Sequence, residues 1–122
     1  MGKKLSDAVL DAACNHIKNN ATSIILLDAE PATRAAAVSA ALATIAVVSG
    51  DFTLADGDTS GRKVTVAAKS GTASASGNHN HTAVISGTDL LAVTTSTTTK
   101  AINSGDTVNS SAFKLEIPDT PV

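Results

Sequence analysis

The chain has no tryptophan, no tyrosine and only two phenylalanines. Its core must therefore be built from Ala, Val, Leu and Ile, which bury less area per side chain than aromatic rings do. The flat rings on which sugars and unpaired bases stack are missing too. Cys14 is the only cysteine, which excludes an intrachain disulfide and fits folding in a reducing cytoplasm. Charged residues make up 16% of the chain and the net charge is −2, which argues against a nucleic-acid partner, since such binding draws on clustered Lys and Arg. No apolar run approaches the ~20 residues of a membrane helix. Behind Lys3 and Lys4, Asp7 and Asp11 interrupt the stretch that a signal peptide would need apolar. No membrane partner is expected.

What is present is enough for one domain over residues 1–122. The length is 122 residues and 43% of them are apolar, so a thin core is expected, supplemented by contacts between subunits of a homo-oligomer. The polar surface falls to Ser, Thr, Asn and Gly.

Ser6 reads as a helix N-cap, with Asp7 in the first turn favouring the helix dipole. Val9, Leu10, Ala13 and Ile17 recur at helical spacing, which predicts an amphipathic helix over about residues 6–19. Ser23–Asp28 is short, continuously apolar and rich in β-branched residues, so a buried strand is expected there. Residues 23–49 as a whole read as mixed α/β. Pro31 marks a turn or helix start, the Ala-rich run 32–43 predicts a second short helix of two or three turns, and 44–48 shifts to strand composition.

Residues 52–117 read as β throughout. Strands are expected at 52–54, 62–68, 81–85, 90–94 and 112–117, with a flat strand of small residues at 71–77. Turns fall at 56–58, 86–89 and 104–106, and 95–99 is a polar, low-complexity run. Phe113, Leu115 and Ile117 should share one face, and Pro118 should end the last strand. The pattern predicts a mainly β fold, a β-sandwich of jelly-roll or Ig-like type, with an N-terminal amphipathic helix and a second short helix.

Chemistry-bearing motifs are sparse. His79 and His81, two residues apart on a strand, would share a face and make a candidate metal pair, but a closed site needs about four ligands. Asp56-Gly57-Asp58 resembles the start of a calcium loop yet lacks its third acid and distal Glu, and a turn is the simpler reading. The glycine-to-lysine spacing of 57–65 is wrong for a phosphate loop, and no nucleophile elbow occurs. Glu30 and Glu116 are far apart and give no support to a carboxylic dyad. Cys14 fits a packed small residue better than a nucleophile. Met1–Ser6 matches an N-myristoylation pattern, for which an ordinary start before a helix cap is the plainer reading. Sequons at Asn20, Asn80 and Asn109 are what a Ser/Thr/Asn-rich chain produces by chance. No catalytic residue or cofactor is predicted and the chain reads as non-enzymatic; the rival is a small enzyme with His79, His81 and Asp58 as a hidden site.

Three segments together resemble a family of small structural proteins of tailed-phage and prophage virions. The first is Leu5-Ser6-Asp7-Ala8-Val9-Leu10-Asp11-Ala12-Ala13 with residues 15–21, followed by a strand and the turn Ala29-Glu30-Pro31-Ala32-Thr33. The second is Ala55-Asp56-Gly57-Asp58 through Arg62-Lys63-Val64-Thr65-Val66. The third runs from Leu90-Leu91-Ala92 through Ser104-Gly105-Asp106-Thr107-Val108 to Ala112-Phe113-Lys114-Leu115-Glu116-Ile117-Pro118. Residues 34–46 depart from the family pattern, which tends to carry aromatics and turn residues there. The resemblance implies a virion protein present in many copies. The expected role is capsid decoration, as a cement protein bound to the major capsid protein. The alternatives are a collar, neck or tail-fibre protein, or a module binding a host-surface glycan. Val9, Leu10, Ala13 and Ile17 are then the candidate inter-subunit surface.

Overall fold

A computed structural model describes residues 5–58 and 60–117, with the side chains of Thr97 and Thr98 excepted. The myristoylation match at the first residues and the expected stop at Pro118 fall outside that range. The described chain is mainly β, in antiparallel sheets, and divides into two compact units. Of the described residues, one unit holds 5–19, 48–58, 60–68 and 111–117, the other 20–47 and 69–110.

The larger unit is sandwich-like. Strands β1 (Ser23–Leu27), β2 (Ala43–Ala46), β6 (Gly77–Ile85) and β7 (Leu90–Ile102) form a four-stranded sheet in the order β2-β1-β6-β7. Register explains why β1 is continuously apolar. Ile24 and Leu26 share a face with Ile45 and Ala43, their cross-strand partners, while Ile25 and Leu27 point to the opposite face. Both faces are covered. On one, Leu26, Ala43 and Ile45 pack with Ala73, Ile102 and Val108, the last from the ribbon of β5 (Lys69–Thr72) and β8 (Thr107–Ser110). On the other, Ile25, Leu27, Ala83 and Ile85 pack with Ala37 of helix α2 (Arg34–Ser39). A strand covered on both sides has no polar face to alternate with.

The smaller unit places helix α1 (Asp7–Asn20) with a three-stranded sheet of β3 (Phe52–Asp56), β4 (Arg62–Val66) and β9 (Phe113–Ile117), in the order β3-β4-β9. Ser6 caps α1 as expected, its hydroxyl accepting from the Val9 N–H at 3.4 Å. Register puts Phe52, Val66 and Phe113 in one cross-strand row and Leu54, Val64 and Leu115 in the next. Phe113, Leu115 and Ile117 thus share a face, as their alternation predicts.

Four expectations are corrected. The second helix spans only Arg34–Ser39, capped by Thr33, whose hydroxyl accepts from the Ala36 N–H at 3.1 Å. It stops early because Leu42 joins the sheet, donating to the Leu26 carbonyl and accepting from Ser74. The run 71–77 is not one strand. β5 ends at Thr72, Ala73 bridges to Ala43, and β6 begins at Gly77. The polar run 95–99 is the middle of the 13-residue β7, because Thr is β-branched and suits an exposed edge strand. Residues 107–110, read as following a turn, form β8.

Candidate functional site

The two histidines stand on β6, but a register shift separates them. His79 pairs with Lys100 and His81 with Thr95, so β7 advances five residues while β6 advances two. The surplus sits in the Thr-rich run. His79 Nε2 lies 3.0 Å from the Thr82 hydroxyl, and His81 Nδ1 lies 2.6 Å from Asn80 Oδ1. Burial first, then the charges of Lys100 and His81, lower the His79 pKa below its ordinary value, which favours the neutral ring. The two imidazoles thus have separate partners, and no group of three or more His, Cys, Asp or Glu side chains able to hold a metal ion occurs among the described residues.

Helix α1 does not present its four apolar positions as one surface. Leu10 is 2% exposed and faces inward together with the fully buried Cys14, whereas Val9 is 55% exposed. Ala13 is exposed and Ile17 is half-buried. The buried stripe runs through positions 10 and 14, flanked by Asp11, Ile17 and Lys18, roughly 60–80° round the helix from the predicted one at 3.6 residues per turn. Leu10 is removed by this from any docking surface. Cys14 is packed, as its small apolar character implies, and burial raises its thiol pKa, with Asp11 adding to the effect.

The most organised polar cluster lies in the smaller unit and was not singled out by sequence. Arg62 joins the helix to the sheet, donating from Nε to Asp11 at 2.6 Å and from Nη1 to Asp56 at 2.7 Å. Lys18 Nζ donates to the Phe52 carbonyl at 2.9 Å. On the opposite face of the sheet, Asp58 receives Lys63 on one carboxylate oxygen and Lys114 on the other, each at 2.5 Å. Its backbone N–H donates to Glu116. The hydrogen bonds from Lys114 and Lys63 hold the Asp58 carboxyl at a pKa of about 2, against an ordinary 3.8. Such a group stays ionised at neutral pH and cannot donate a proton there.

The sequence offers Asp58 as a turn residue, as part of a weak calcium-loop match and as a possible partner of the histidines, and sets Glu116 far from Glu30; it does not place Asp58 beside Glu116. The fold brings the two together because β9 pairs with β4, whose leading loop carries Asp58. The one signal available was the charge at Lys63, Lys114 and Glu116, each alternating with the apolar residues of its strand.

Among the described residues, no helix is long and apolar enough to cross a membrane, which leaves strand-built spans unaddressed. Compared with family models, with curated proteins and with solved structures, the chain finds no match in any of the three.

Proposed function

We propose that the chain is a non-enzymatic structural protein of a tailed-phage virion, of the decoration or cement type, binding the major capsid protein. In this reading it assembles in the bacterial host cytoplasm and acts by binding alone. Many copies, each adding modest energy, would hold one shell against expansion.

The observation that carries the reading is the order of elements. The resembling family opens with a short helix, then a strand, then a Glu-Pro-containing turn, and this chain runs α1, β1 and the bend over residues 28–33 before α2. The second resembling segment is the β3–β4 hairpin, and the third runs from the start of β7 through the Gly105 turn to β9. Exposed Val9 on α1 and Val38 on α2 are apolar positions open to a neighbour.

Quantitative mass spectrometry of purified particles tests it. A ratio to the major capsid protein near one to one, or one to three, is expected. A far lower ratio moves the protein to the collar, neck or tail. Absence from particles overturns the structural role.

A further inference from the structure

The outer strand of the smaller sheet, as far as the described residues go, carries a sequence that is complementary to itself. β9 is the outermost strand in the order β3-β4-β9, and among the described residues it pairs with β4 alone. An unpaired strand edge is a template for another strand. Its five residues alternate cleanly: Phe113, Leu115 and Ile117 are half-buried on the helix-bearing face, while Lys114 and Glu116 are exposed on the other.

Two copies of β9 can meet edge to edge, antiparallel, about a two-fold axis. Continuity of the sheet faces allows only registers that pair residues of like face. A centre on Lys114 sets lysine opposite lysine, and a centre on Glu116 sets acid opposite acid. Like charges directly opposite each other destabilise a strand pair. A centre on Leu115 sets Lys114 opposite the partner subunit's Glu116, and Glu116 opposite the partner subunit's Lys114. On the other face it sets Phe113 opposite the partner subunit's Ile117, and Leu115 opposite its own copy. One register is thus favoured on both faces at once.

Within one copy, β4 already places Lys63 opposite Glu116. Across the seam each Glu116 would stand between two lysines, its own Lys63 and the partner subunit's Lys114. The outer edge at β3 offers nothing comparable. The same operation centred on Leu54 sets Phe52 opposite the partner subunit's Asp56, an apolar ring against an acid.

We infer that the protein forms a two-fold dimer by antiparallel pairing of β9 with β9 of a second copy, centred on Leu115, which joins the two small sheets into one. The interface is isologous and closed, so the strand edge is capped and does not propagate into a filament. It holds whatever particle or surface the protein belongs to.

Sedimentation equilibrium on the full chain reads it out. The unaltered protein is expected to be a dimer that dissociates on dilution. K114E and E116K each set like charges opposite at both seam positions and should weaken association by roughly tenfold or more. Mixed in equal amounts, the two variants regain opposite charges and should associate with each other as the parent does. D58N removes the internal partner of Lys114 but leaves the seam charges, and should dimerise normally. If either charge variant fails to fold by circular dichroism, L115C replaces it. That thiol meets its own copy on the axis and should oxidise to a linked dimer, which the buried Cys14 of the parent should not form. A parent that stays monomeric at every concentration overturns the proposal. So does an oligomer indifferent to both charge reversals, or an L115C that never cross-links.

Discussion

A Cβ built on Gly57 would lie 1.9 Å from the Ser60 carbonyl oxygen and 2.8 Å from Glu116 Oε1. The loop between β3 and β4 is closed by a hydrogen bond from the Gly57 N–H to the Gly61 carbonyl at 2.9 Å, and Gly61 has φ 70°. There is no room for a side chain at position 57 unless the backbone moves. Gly57→Ala should cost about 2 kcal/mol or more in urea unfolding, while Gly50→Ala, with nothing near its Cβ, should stay within about 0.5 kcal/mol. The same loop carries Asp58. Its folded pKa of about 2 lies below the ordinary 3.8, so its stabilising contribution is fully present above pH ~4 and is lost as pH falls toward 2. Melting temperatures measured from pH 5 to 2 should fall more shallowly for D58N than for the parent. Added salt should shrink that difference, because the pairs are exposed to solvent.

At the level of elements, helix α1 divides its apolar residues between an inner and an outer side. Leu10→Ala should cost about 2–4 kcal/mol of stability, and Val9→Ala well under 1 kcal/mol, in paired urea titrations. An equal cost at both positions would contradict the orientation described. The spacing predicts the helix and its cap correctly but turns its buried face by roughly 60–80°. Spacing alone weighs Val9 and Leu10 alike, whereas the side that faces the sheet is the one on which Asp11 meets Arg62 and Lys18 meets the Phe52 carbonyl. β1 was legible because four apolar residues in a row leave no exposed face. β7 was only half legible: its Thr-rich part has no apolar side to alternate with, and residues 96–99 fall in the surplus between the Thr95–His81 and Lys100–His79 pairs. β8 was missed because a four-residue strand with one buried apolar side chain, Val108, makes no pattern by itself. The Asp58 cluster was out of reach for another reason. Its members are separated by up to 58 positions and meet only through the pairing of β4 with β9.

Over the whole molecule, the two units are interleaved along the chain. Residues 48–68 form an excursion from the larger unit, and its two ends are neighbours. β2 runs antiparallel beside the segment that leads out of β5, bridged at Ala43 and Ala73, and a Cβ on Gly71 would lie 2.9 Å from Ile45 Cγ1. A shortened chain of residues 20–110 in which a tight Asn-Gly turn replaces 48–68 should therefore fold. Amide exchange would show the β1–β6 ladder protected, and loss of that protection would mean that the larger unit leans on the smaller for stability. The order of the strands also sets a timetable for synthesis. By the time Ser110 has left the ribosome, every strand of the larger sheet and its ribbon is available, and their pairing can begin. β4, by contrast, has only β3 beside it until Phe113–Ile117 emerges. Until then the unpaired side of β4 is open to other nascent chains nearby, as the β6-facing side of β1 is until Gly77–Ile85 emerges, so both units pass through an exposed-edge stage during synthesis.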